Sequence, residues 1–129
     1  MGIPIDLTPV ETPAPKLILD GLVGYSLSGA PRGEVARLIE WSHRVEAPVL
    51  SLDLPSGLDA TTGKAQPPTV RSAATFTLAL PKDGLVHEGA RGWVGELYLG
   101  DISVPPQVYE RFGFAVKGLF SRGDILFLR

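Results

Sequence analysis

The chain has 129 residues, enough for one domain with a single buried core and too few for two. Its 12 Lys and Arg stand against 14 Asp and Glu with no run of like charge, so bulk electrostatics give no basis for binding nucleic acid or a membrane surface. The absence of cysteine removes disulfides, thiolate metal sites and Cys nucleophiles, and the two histidines, His43 and His87, are too far apart in sequence to suggest a zinc cluster.

The amino terminus lacks a basic region followed by an apolar segment, and no stretch approaches the ~20 apolar residues of a membrane span, so a soluble cytoplasmic domain is expected. Residues 1–15 hold Pro4, Pro9, Pro13 and Pro15 and predict an extended lead-in without a helix, leaving 16–129 as the domain proper. Lys16 to Val23 predicts an apolar strand carrying one acid, Asp20. A buried acid needs a cation or hydrogen-bond donors, and nearby backbone amides would serve as well as a cation.

Gly24 to Gly33 is a loop of glycine and serine between a strand and a helix. Dinucleotide folds set their phosphate loops at this position, where backbone amides and the positive end of the helix cradle phosphate; a plain turn uses the same residues. The helix is predicted over Glu34 to Val45. Val35, Leu38, Ile39, Ser42 and Val45 form its core-facing stripe, and Glu34, Arg37, Trp41 and Arg44 the opposite face. Glu40 and Arg44 stand at the spacing of an ion pair. Trp41 among charges reads either as a ring covered by the Arg37 and Arg44 stems or as a contact with another subunit.

Pro48 closes the helix and opens a short apolar strand, Val49, Leu50 and Leu52, of the kind found in the middle of a parallel sheet. Pro55 and Gly57 cannot continue it, so it ends near Asp53 and gathers Asp53, Ser56 and Asp59 around a tight turn. Ligands of open α/β sheets bind outside the carboxyl ends of strands, which makes Asp53 a functional candidate. Ala60 to Pro68 is a surface turn and linker. Thr75 to Leu80 predicts a strand that ends at Pro81-Lys82, where Lys82 is either a solvated turn residue or a cation aimed at a ligand phosphate or carboxylate. Leu85 to Gly92 predicts a helical turn with His87 and Glu88 on the surface, and Val94 to Asp101 another strand, closed by Pro105 and Pro106. Phe112 to Arg129 is apolar enough to require docking or pairing. The alternation of elements predicts an α/β fold with a largely parallel sheet.

Five blocks, Asp20 to Gly24, Ser28 to Gly33, Ser51 to Asp59, Leu80-Pro81-Lys82 and Gly95 to Ile102, resemble in that order the C-terminal half of the YjeF N-terminal domain, the NAD(P)HX epimerase family. The resemblance implies a Rossmann-like three-layer α/β/α fold without the N-terminal part of the usual domain. The implied activity interconverts the two C6 epimers of hydrated NADH or NADPH, so that a partner dehydratase can repair them. Asp20 and Ser56 match positions that coordinate a potassium ion. Gly24, Tyr25, Ser26, Leu27, Ser28, Gly29 and Ala30 match the segment that wraps the hydrated nucleotide. Asp53 matches a substrate-contacting acid suited to proton transfer at the C6 hydroxyl.

An Asn-Asn-Gly-Gly-Asp loop, which supplies a further potassium ligand and phosphate contacts in that family, does not occur in this sequence. Residues 1–15 are too short to hold the strands and helices expected before Lys16. Two expectations follow. One is an epimerase part completed by a companion chain or a homo-oligomer; the other is a catalytically silent binding or dimerisation module. The retained acids favour the first and the absent loop the second.

Overall fold

A computed structural model of the chain describes residues 15–25 and 29–129. Among these, five strands form one sheet in the order β1 to β5: β1 (Ile18–Asp20), β2 (Val49–Leu52), β3 (Ala74–Leu78), β4 (Glu96–Gly100) and β5 (Ile125–Phe127). The first four are parallel and β5 runs antiparallel to β4. The expected α/β class with a largely parallel sheet is therefore the one observed. The apolar tail does pair: Ile125, Leu126 and Phe127 lie opposite Gly100, Leu99 and Tyr98.

Helix α1 (Gly33–Arg44) links β1 to β2, and two single turns, α2 (Asp83–Val86) and α3 (Arg91–Val94), link β3 to β4 through a 3-10 turn at Glu88–Ala90. On α1, Val35 and Ile39 pack with Ile18, Val49 and Val70. A second cluster joins Leu54, Leu58 and Ala60 from the β2–β3 connection to Leu85, Ala90, Val94 and Leu97. Both clusters lie on one face of the sheet, the face of Ile18, Asp20, Val49, Ser51, Thr75, Thr77, Leu97 and Leu99. Side chains alternate along a strand, so Leu19, Leu52, Phe76, Tyr98 and Phe127 point the other way. Leu19 is 72 % exposed, Leu52 54 % and Phe127 62 %.

Among the described residues the helical connections of the parallel strands lie on one face of the sheet and leave the other bare. The reason is topological. Parallel crossovers are right-handed almost without exception, and strands added in one direction put every such connection on the same face. Helices reach the other face where the strand order reverses, and the order β1 to β4 has no reversal. Among the described residues β1 is an edge strand.

Smaller expectations also shift. The strand expected over 16–23 contracts to Ile18–Asp20, and the one expected to Leu80 ends at Leu78, because Ala79 takes a left-handed backbone (φ 66°). Glu40 and Arg44 do not pair; the ion pair on α1 joins Glu34 to Arg37 at 2.5 Å. Trp41 is half-buried and lines an apolar groove with Leu19, Leu22 and Leu38 beside β1. It follows Leu38 by three residues and so shares that stripe. A short final helix, α4 (Pro106–Arg111), buries no residue. Among the described residues no helix is long and apolar enough to cross a membrane.

Candidate functional site at the carboxyl ends of the strands

Asp20 closes β1 and is 3 % exposed, and four donors meet its carboxylate. Ser51 donates to Oδ2 at 2.7 Å and the Ser56 backbone amide at 2.9 Å; the Ser56 hydroxyl donates to Oδ1 at 2.6 Å and the Leu22 amide at 3.4 Å. Ser51 also shares a 2.6 Å hydrogen bond with Ser72. The donors that a buried acid requires are thus present, from hydroxyls as well as amides. Ser56 Oγ lies 3.1 Å from the Val23 carbonyl and accepts from the Val23 amide at 3.0 Å, which ties the loop after β1 to the turn after β2. Gly57, at φ 93°, permits that turn: a Cβ there would come within 2.6 Å of the Pro68 carbonyl.

Asp53 stands directly after β2 in the left-handed region, at φ 69°. Its amide continues the sheet ladder by donating to the Phe76 carbonyl at 2.8 Å. Its Oδ1 accepts from the Leu78 amide at 3.1 Å, from Thr77 at 3.2 Å and from Lys82. Lys82 lies in the short Pro81-Lys82 link before α2 and also donates to the Leu78 carbonyl at 3.2 Å and to Thr77 Oγ1 at 3.3 Å. It is therefore neither a solvated turn residue nor a free cation. The Lys82 and Asp53 side chains are only 20 % and 30 % exposed.

Asp59, expected near Asp53, does different work. Its Oδ1 accepts from the Thr61 and Thr62 amides at 3.1 and 2.7 Å and from the Thr62 hydroxyl at 2.8 Å, and these bonds hold its carboxyl below the usual carboxylate range. Of the loop residues, Gly24 is half-buried, Tyr25 and Gly29 are exposed and Ala30 is half-buried; Ser26, Leu27 and Ser28 lie outside the described residues. Ser51 and Thr77 escaped the sequence reading. Their signal was polar residues at period two on the inward face of strands, Ser51 in an apolar run and Thr77 two after Thr75.

Asp20 Oδ1, Ser56 Oγ and the Val23 carbonyl form an all-oxygen group with one formal charge, the donor chemistry of a hard cation. Among the described residues no three His, Asp or Glu side chains gather at metal-binding spacing.

A largely parallel sheet with an acid at the end of each of two adjacent strands, one buried among hydroxyls and one held by a lysine, defines an α/β protein with a candidate site at the strand ends. The chain belongs to the family described as YjeF-related protein N-terminus, which it matches over residues 2–84. It is 45 % identical over 112 residues to a protein of Dehalogenimonas lykanthroporepellens named NAD(P)H-hydrate epimerase, covering 87 % of this chain and 44 % of that protein. A Truepera radiovictrix protein of the same name is 40 % identical, with 74 % and 42 % covered. A Pyrobaculum aerophilum protein named bifunctional NAD(P)H-hydrate repair enzyme Nnr is 38 % identical, with 71 % and 18 % covered. The crystal structure of yeast ynu0, YNL200c, superposes with a TM-score of 0.71 at 27 % identity, covering 88 % of this chain and 46 % of that one. The chain spans less than half the length of these relatives.

Proposed function

We propose that this chain supplies the acid/base and cation-binding part of an enzyme that interconverts the C6 epimers of hydrated NADH or NADPH. The observation that carries the reading is Asp53: an acid at a strand end with one oxygen anchored and the other, Oδ2, without a partner among the described residues. Family membership adds the substrate class.

The chemistry asks for a proton at the C6 hydroxyl and its return. With a proton on Oδ2, the Asp53 carboxyl protonates that hydroxyl, the C6–O bond breaks with both electrons leaving on water, and the ring nitrogen lone pair forms the N1=C6 bond of a cyclic iminium cation at the same oxidation level. Water then adds to the other face of C6 while the Asp53 carboxylate takes its proton. Atoms and charge return to the start, with C6 inverted. A positioned acid/base of this kind contributes on the order of 10²- to 10⁴-fold. Lys82 stabilises the carboxylate formed midway.

The potassium ion that the family resemblance implies fits the oxygen group of Asp20, Ser56 and Val23. These three are fewer than the roughly six to eight oxygens that large hard cations take. Bound there, it would supply positive charge beside the loop that wraps the nucleotide. Asp20 and Ser56 hold their place through their own hydrogen bonds.

The remaining ligands and the cover of the bare face come, on this reading, from residues outside this chain, whether earlier in a longer polypeptide or in a companion chain. The exposed Leu19, Leu52 and Phe127 and the edge of β1, open among the described residues, support it, since an apolar sheet face and edge left in water invite association. Native mass spectrometry of the protein from its own source tests this. A single longer polypeptide or a second polypeptide bound one to one supports it, and a homo-oligomer of this chain alone favours the silent module.

A further inference from the structure

We infer that Lys82, with Thr77, is a positioning residue that gives the two oxygens of Asp53 separate tasks, one anchored and one presented to substrate. This rests on the reading of Asp53 as the proton-transfer group. An ammonium has three N–H donors and no acceptor. Lys82 reaches three acceptors inside the chain, Asp53 Oδ1, Thr77 Oγ1 and the Leu78 carbonyl, so no donor remains for a ligand phosphate.

The anchored oxygen is equally committed. Oδ1 accepts from Lys82, from the Thr77 hydroxyl and from the Leu78 amide, while Thr77 uses its single proton toward Asp53 and its lone pair toward Lys82. Thr77 is fully buried and cannot turn to water instead. The left-handed backbone at Asp53 (φ 69°), tied by its amide to Phe76, fixes the base of the side chain. With both ends held, Oδ2 is the Asp53 oxygen without a partner among the described residues and the one presented to a ligand. Such fixation matters because a displacement of ~1 Å at a reacting group costs on the order of 10²-fold in rate.

The test compares Lys82→Met and Thr77→Val with the parent chain. By NMR, Lys82→Met accelerates exchange of the Leu78 amide at least ~10-fold and moves the Asp53 carboxyl carbon resonance, with the other β3 amides unchanged; Thr77→Val does the same to a smaller extent and serves alone if Lys82→Met fails to fold. Unchanged Leu78 exchange and an unmoved Asp53 resonance overturn the inference. In the natively assembled protein, Lys82→Met lowers kcat ~10- to 100-fold with KM within about twofold. A raised KM with unchanged kcat contradicts positioning and makes Lys82 a ligand contact. A parent assembly without epimerase activity removes the proposed reaction but leaves the NMR result to decide the anchoring.

Discussion

Two aspartates at neighbouring strand ends meet opposite requirements. Asp20 is sealed among Ser51, Ser56 and backbone amides, and its carboxylate is what satisfies them in return. Asp20→Ala leaves the Ser56 amide buried without a partner and removes charge-assisted bonds, so we expect about 3 kcal/mol of destabilisation by urea unfolding. Asp59 is a surface turn acid whose folded pKa is depressed by the Thr62 and Thr61 bonds. Its contribution is present above the unfolded value of 3.8 and is lost as pH falls through the lower folded value. Asp59→Asn therefore flattens the acid limb of the stability profile below pH ~4, and a limb identical to the parent's would contradict this. A lone acid in an apolar strand made Asp20 legible in the sequence, and an acid before Leu-Pro-Ser-Gly did the same for Asp53. Lys82 was not, because its partner lies 29 residues earlier and meets it only once β2 and β3 pair.

At the scale of elements, the strands follow from short apolar runs, but their limits are set by neighbours. Gly100, at the end of β4, is buried under the Phe76 ring of β3, and a Cβ there would stand 2.4 Å from Phe76 Cζ. Gly100→Ala must push that ring off the sheet, at a cost of about 1–3 kcal/mol, and Phe76→Leu in the same chain should recover part of it. Thermal unfolding of the single and double variants checks both, and an unchanged midpoint in Gly100→Ala would refute the contact. The placing of Trp41 on the charged face of α1 failed for a related reason. Helical spacing shows which residues share a stripe, yet the width of the buried stripe depends on what lies beside it, here Ile18, Val49 and Val70, which line the same groove as Trp41.

For the whole molecule, the fold class was legible because strand and helix patterns alternate, and the candidate residues Asp20 and Asp53 were legible because two strands end in acids. Which face the connections of these strands take was not. It depends on the order of strands in the sheet, and an unbroken order from β1 to β4 leaves one face without helices among the described residues. Among the described residues that face and the β1 edge are open, and on the proposed reading further chain beside β1 covers them and brings ligands to Asp20. The most direct measurement is the rate at which the natively assembled protein equilibrates the separated C6 epimers of hydrated NADH, followed by proton NMR, for the parent and for Asp53→Asn. The account predicts equilibration faster than without protein and a loss of at least ~100-fold in the variant, with its circular dichroism unchanged. Equal rates in parent and variant, or no acceleration by the parent assembly, would contradict it.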